Sequence, residues 1–460
     1  MVQFLNRTQE LAWLEDSWEQ TQAGAPQLVL VWGRRRVGKT YLISHFAQRR
    51  RAVFFGATAQ AQAVELGRLY EAVRRDIGEQ ASDLAGGGFT SWEAAFKFLA
   101  ALAAKEPLAV VIDEIPYLAD STPGFASIVQ VVWDHLKRGT KLMLVLTGSA
   151  VSVIESIIGE GGALRGRPTL PLRLEPLDPI DARVFLPKLS AGDYLEAYAA
   201  CGGYPLHLNA WNPTRSVEHN LHELAFSAGG ILLEDAASML AEELSGSSGF
   251  ARILAAVGCG SSKYSEIASQ AGQRVEQPLE TLVRSGFLRR ALPVGAPKAA
   301  RPLYEIPDPY LRFWFSCLFA GRSDIDAGQG KAVFSRVRPT WQRHLGGVFE
   351  ELARSHAQRL VERGELPQDL LIGRWWTASG EPCEVDVMGL AGTQAALIGE
   401  ARLQDKPIDV SDLNALIKKT ARIPKLVKEP ILAFWSRNGA TAAIRRQGAL
   451  GFKLSEMLAR

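Results

Sequence analysis

The chain has 460 residues, 47% apolar and 22% charged, with a net charge of +3. That is enough chain for two to four domains, each with its own core, and the near-neutral total excludes a protein held to its partners by bulk charge alone. No run approaches the ~18 apolar residues of a membrane span, and Cys201, Cys259, Cys317 and Cys383 lie too far apart for a zinc cluster or a disulfide framework.

The opening "MVQFLNRTQE" has no basic run leading into an apolar stretch, so no signal peptide is expected and the chain reads as cytoplasmic, with no membrane partner. Charge is unevenly spread. Residues 1–250 carry 22 basic and 28 acidic side chains, and residues 251–460 carry 30 and 21. A basic C-terminal half suits an anionic partner, and DNA is the expected one.

Residues 27–32 form an apolar strand, residues 33–40 read "GRRRVGKT", and "TYLISHFAQ" begins a helix. Strand, G-x-x-x-x-G-K-[ST] and helix in that order make a phosphate loop, so ATP and Mg²⁺ are the expected cofactors. Gly33 and Gly38 allow the tight turn that points successive N–H groups at phosphate oxygens. The helix N-terminus adds its dipole. Lys39 is expected on the β- and γ-phosphates and Thr40 on Mg²⁺. Val37 and Tyr41 complete the nucleotide-contacting stretch. Arg34, Arg35 and Arg36 are either a solvated loop tip or contacts to nucleotide or DNA.

The strand "LAVVID" ends in Asp113 and Glu114. Asp113 is placed to hold Mg²⁺ and Glu114 to polarise the attacking water. "RAVFFGAT" and two helical stretches lie between the two motifs, so an extra strand separates them, as in the additional-strand class of ATPases. A third strand, "KLMLVLTGSA", ends in Thr147, Gly148 and Ser149. Thr147 or Ser149 is a γ-phosphate sensor, or the polar residues cap the next helix. Arg165 and Arg167, in a glycine-rich loop, are either surface residues or an arginine finger for a neighbouring subunit, which leaves a homo-oligomer or a protein partner open.

The segments "FLNRTQELAWL", "GRRRVGKT", "VIDEIPYL", "LTGSA", "LRGRPTLPLRLEPL" and "CGGYPLHL" fall in order over residues 4–208. Together they resemble the archaeal-type predicted ATPases of the AAA+/STAND lineage. The resemblance implies that Asn6 and Arg7 frame the adenine. It also implies that Gly203, Tyr204 and Pro205 form the element where a helical lid meets the nucleotide. From the residues alone, Gly203 and Pro205 are a turn between helices.

Residues 180–245 read as short helices, and "LSGSSG" (244–249) marks a boundary. Three helical patterns and an extended pair over 250–310 describe a winged helix-turn-helix. Ser265 is the expected cap of the second helix and Gly272 the turn after it. The third helix, about 274–285, offers Arg274, Gln277 and Arg284 to DNA, although Pro278 lies within it. In the resembled family "DPYLRFW" joins the winged helix to a restriction-endonuclease-like domain.

A PD-(D/E)XK centre needs a Glu on its first helix, an Asp ending one strand and Glu-x-Lys on the next; the acids bind metal and the lysine supports charge on the phosphate. Here "GGVFEELARSHAQRL" offers Glu350, "GEPCEVDVMGL" offers Glu384 and Asp386, and "LIGEARL" offers Glu400 with Arg402 in the lysine's place. Asp386 and Glu400 are the expected metal ligands, with Arg402 beside the scissile phosphate. Arginine keeps the charge but is a planar fork that does not shuttle protons at neutral pH. The centre therefore either cuts DNA, or is inert in a domain that docks DNA or a protein.

The expected fold is α/β: a P-loop NTPase of the additional-strand class with a parallel sheet (1–178), a helical lid (179–245), a winged helix-turn-helix (246–320) and an α/β restriction-endonuclease-like domain (321–460).

Overall fold

A computed structural model describes residues 5–78, 87–136, 139–244, 248–297, 300–377 and 381–459. The chain divides into two compact units: Met1–Pro176 with Ala241–Ser245, and Leu177–Leu240 with Gly246–Arg460. The boundary expected at 245/246 lies outside the described residues. No helix among the described residues is long and apolar enough to cross a membrane.

The first unit is built on five parallel strands: β1 (Gln27–Trp32), β2 (Ala52–Gly56), β3 (Leu108–Asp113), β4 (Leu142–Gly148) and β5 (Leu170–Arg173). Their order is β2-β3-β4-β1-β5. Every residue of β1, β3 and β4 is buried, because a parallel sheet covered on both faces needs continuous apolar strands. On one face Trp92 packs edge-on against Phe125 with centroids 5.2 Å apart, among Phe96, Leu30, Val110 and Ile112. Ser91 caps helix Trp92–Ala103, its side chain accepting the Ala94 N–H at 3.1 Å.

The sheet order refines one expectation. The strand that intervenes in sequence, β2, sits at the sheet edge beyond β3; the strand between the phosphate-loop strand and the Asp-Glu strand is β4. The residues after β4 are thereby delivered between the two motifs.

In the second unit, helices Ala191–Cys201, Pro205–Ala210, Val217–Leu224 and Ile231–Glu243 come first, the last running into the first unit at Ala241. Helices Ser248–Gly258, Tyr264–Ala271 and Glu276–Arg284 follow, then an antiparallel pair, β6 (Arg289–Ala291) and β7 (Leu303–Glu305). Pro278 is tolerated because it falls in the first turn of its helix, where N–H groups have no intrahelical acceptor. Ser265 is not a cap: it lies inside the helix, and the Glu266 carboxylate reaches back to the N–H groups of Ser262 and Lys263, both at 3.2 Å. Gly272 ends the helix at φ +64°.

The 33-residue helix Gly330–Glu362 leads into a mixed sheet of β8 (Leu370–Trp376), β9 (Glu384–Ala391), β10 (Gln394–Arg402), β11 (Leu426–Ser436) and β12 (Leu450–Lys453). The order is β12-β11-β10-β9-β8; β8, β9 and β10 are antiparallel neighbours, whereas β10, β11 and β12 run parallel. A parallel neighbour needs a crossover, and helix Val410–Thr420 supplies it between β10 and β11. Leu413 and Leu416 of that helix pack with Ile398 and Phe434 on one sheet face. On the long helix, His356 accepts the Trp435 indole N–H at 3.0 Å.

Candidate functional site

Lys39 is buried, 4% exposed, with its ammonium folded onto the loop. It donates to the Gly33 carbonyl at 2.9 Å, the Arg34 carbonyl at 3.0 Å and Ser149 Oγ at 3.0 Å. Burial lowers its pKa against the pull of Glu114 and Asp113. A buried ammonium held mainly on carbonyls lacks a full counter-charge, so an anionic phosphate chain fits this cradle. Gly38 precedes helix Lys39–Ala47 at φ +99°, and a Cβ on Gly33 would lie 2.1 Å from the Leu174 carbonyl oxygen, so only glycine fits there.

Thr40 Oγ1 donates to Asp113 Oδ2 at 2.8 Å, and the Thr147 hydroxyl donates to the other Asp113 oxygen. Glu114 has a left-handed backbone, φ +60°, which turns its side chain to Ser149. It accepts the Ser149 N–H at 2.9 Å and the Ser149 hydroxyl. Ser149 thus ties Lys39 to Glu114, whereas the fully buried Thr147 orients Asp113. Neither residue caps the next helix, whose N-cap is Ala150 with no side-chain bond. Ser149→Ala is expected to lower ATP turnover about 10-fold or more in a steady-state assay, since it frees both the base and the lysine.

Arg34 is not part of a solvated tip: it is 7% exposed, with Arg35 and Arg36 half-buried beside it. Val37 is fully buried and Tyr41 is exposed on the first turn. Arg7, expected near the base, ties this loop to the residues after β5. Its guanidinium donates to the Val37 carbonyl at 3.1 Å and the Glu175 carbonyl at 2.6 Å, and pairs with Glu10 at 2.7 Å. Asn6 Oδ1 accepts the Arg7 N–H at 2.7 Å. Pro205 opens a helix of the second unit. Of the two candidate fingers, Arg167 is held by Asp134 at 2.8 Å, whereas Arg165 is exposed.

In the second unit, carboxylate oxygens of Glu350, Glu384 and Asp386 all lie within 4.8 Å of one another. Glu350 comes from the long helix; the other two begin β9. Burial and the neighbouring Asp386 push Glu350 up to about 7, and burial pushes Asp386 up to about 6, aided by Glu400. The adjacent Glu351 turns to the opposite environment. Burial would raise it, but Arg312 and Arg289 hold it at about 2. An all-oxygen set of mutually repelling, half-buried carboxylates fits a hard divalent cation.

The expected metal pair was Asp386 with Glu400. In the structure Glu384 completes the cluster, and the Glu400 carboxylate is taken by the Lys419 ammonium. Arg402 stands 3.7 Å from Glu400 and donates to Asp412. Side-chain alternation explains this: Ile398, Glu400 and Arg402 face helix Val410–Thr420, where Asp412, Leu416 and Lys419 share one side. The ammonium that pairs with Glu400 therefore comes from the next helix. Its sequence signal was the i, i+4, i+7 spacing that separates Lys419 from Lys418.

Arg374 links this cluster to the hairpin, pairing with Glu384 and with Glu305 of β7 at 3.1 Å. Arg289 of β6 joins Glu305 at 2.9 Å and Glu351 at 2.7 Å.

The parallel sheet, the phosphate loop and the Asp113–Glu114 turn define a P-loop ATPase. Residues 4–210 match the family described as an ATPase domain predominantly from Archaea, and the chain is accordingly a nucleotide-binding ATPase. Residues 314–415 match a second family, described as Archaea bacterial proteins of unknown function. An uncharacterized protein of Methanocaldococcus jannaschii is 26% identical over 436 residues, 92% of each chain. An uncharacterized ATP-binding protein of the same organism is 43% identical over 51 residues, 11% of this chain and 81% of that one. Among solved structures, the Walker-type ATPase of Pyrococcus abyssi shares the fold: the TM-score is 0.51 at 19% identity, covering 68% of this chain and 96% of that one.

Proposed function

We propose that this ATPase couples its nucleotide state to the engagement and cleavage of DNA. The first unit would bind ATP with Mg²⁺ held by Thr40 and Asp113. The ion would neutralise phosphate charge. Lys39 holds the phosphate chain, and Glu114, fixed by Ser149, accepts the proton of the attacking water.

The observation that carries the cleavage reading is the Lys419–Glu400 pair next to the carboxylates of Glu350, Glu384 and Asp386. Acids and a lysine are then all present, the acids on the helix and strands a PD-(D/E)XK centre uses and the lysine on the helix that follows the Glu400 strand. Those acids would hold Mg²⁺ or Mn²⁺, which supplies water activation and charge stabilisation when bound. Lys419 places a compact ammonium beside them for the phosphate charge. The three helices and the β6–β7 hairpin support a winged-helix reading for 246–320, and the basic balance of the second half supports DNA as partner. The alternative, a nucleotide-gated switch with an inert docking domain, rests on Arg402 standing where the motif has lysine. A cleavage assay on duplex, single-stranded and branched DNA with Mn²⁺ tests the proposal: product should form with wild type and not with Asp386→Asn.

The same carboxylates predict a pH-dependent stability. Their folded pKa values lie above the ordinary range near 4, so between about pH 4 and 7 the folded state binds more protons than the unfolded one, and stability falls as pH rises through that window. A divalent cation should reverse the loss. In a thermal-shift assay Mn²⁺ should raise the Tm at pH 8 and not at pH 5, and Asp386→Asn should abolish the rise.

A further inference from the structure

Within the second unit a groove of 1320 Å³ runs from the hairpin to the edge of the mixed sheet. Its walls include Trp375 and Trp376 of β8, Tyr264, and the cations Lys263, Arg301 and Arg422; among the described residues no acidic side chain lines it. A register shift between Gly373 and Trp375 breaks the alternation of β8, so two consecutive indoles reach one groove. Trp375 packs against the sheet core, which fixes it, and Arg374 sits 5.4 Å from the Trp376 ring centroid. Tyr264 is 47% exposed, and Arg301 is exposed.

We infer that this groove binds single-stranded nucleic acid, its bases on the indoles and its phosphates on the cations. The inference rests on the cleavage reading and gives it a substrate class. Aromatic faces beside cations are what a backbone with unpaired bases needs, since every base offers a π-face and every linkage a negative charge. A duplex hides those faces. Lys263 pairs with Glu266 at 3.3 Å and Arg422 with Glu381 at 2.8 Å, exposed pairs for which a phosphate backbone can compete. The groove neighbours the candidate centre: Trp376, in its wall, is the cross-strand partner of Glu384, one of the three clustered carboxylates. A strand seated on the indoles would therefore run toward the acids.

The test is fluorescence anisotropy of the full-length protein with three probes of equal length: oligothymidine, an abasic strand of the same phosphate count, and a duplex. Wild type should bind oligothymidine at least 10-fold more tightly than the abasic strand. Trp376→Ala should erase that difference with duplex affinity unchanged, and Trp376→Phe should restore most of it. An unchanged Tm and ATPase rate confirm that the variant is folded. If wild type binds nucleic acid but Trp376→Ala leaves oligothymidine affinity intact, or weakens all three probes alike, the groove assignment is overturned and the cleavage reading stands. If wild type binds none of the three probes, both are overturned.

Discussion

Lys39→Ala is expected to abolish ATP binding, and Glu114→Gln to preserve binding while lowering turnover about 10²–10⁴-fold. The Lys39 ammonium is folded into the loop, and groups that receive it, the Gly33 and Arg34 carbonyls, are themselves repelled by phosphate oxygens. Alanine there removes the ammonium that reconciles the two. Glutamine at position 114 keeps one oxygen to accept from Ser149, so the turn and the cradle persist, but it cannot take a proton at neutral pH. Equilibrium binding of a fluorescent ATP analogue, beside phosphate release, separates the two outcomes. Glu114→Gln hydrolysing at the wild-type rate would remove Glu114 as base.

Lys419→Met is expected to lower Mn²⁺-dependent DNA cleavage about 10²–10³-fold, the scale of losing one charge-stabilising donor. Arg402→Lys should change it by no more than a few-fold. From the strand motif alone one would expect the opposite, because restoring lysine beside Glu400 restores the motif. The structure places that ammonium from the neighbouring helix already, and uses Arg402 to hold Asp412, whose carboxylate also accepts the Asp409 N–H at 2.9 Å. Norleucine-like methionine keeps the packing of the Lys419 stem, so ATPase rate and Tm should not move. A gel assay of the four proteins, wild type, Lys419→Met, Arg402→Lys and Glu384→Gln, reads the outcome; rescue of cleavage by Arg402→Lys in the Lys419→Met background would identify the two positions as interchangeable sources of one charge.

The phosphate loop and the Asp113–Glu114 turn were legible in the sequence because each is a local device: a glycine pattern between strand and helix, and two acids where an apolar strand ends. What lay between them was not. Only the sheet order shows that β4 is the separating strand, and only then does Ser149 become the bridge from Lys39 to Glu114. Arg34 misled for a related reason. Three consecutive arginines read as a wet loop tip, yet the turn of the loop buries the first of them. At the C-terminal centre the strand positions of Asp386, Glu400 and Arg402 could be read off, but their partners lie 10 to 36 residues away: Asp412 and Lys419 on the following helix, Glu350 on the preceding one. Ionic partnership across that distance is set by tertiary packing; the helical spacing of Asp412, Leu416 and Lys419 says only that they share one side of their helix.

The coupling of nucleotide to DNA is tested most directly by one rate: steady-state ATP hydrolysis with Mg²⁺, measured without DNA and with saturating DNA. The account predicts stimulation of several-fold by DNA, lost in Glu114→Gln. Equal rates with and without DNA, from a protein that binds both ligands, would contradict coupling and leave the chain as a switch that holds its nucleotide while the C-terminal domain docks.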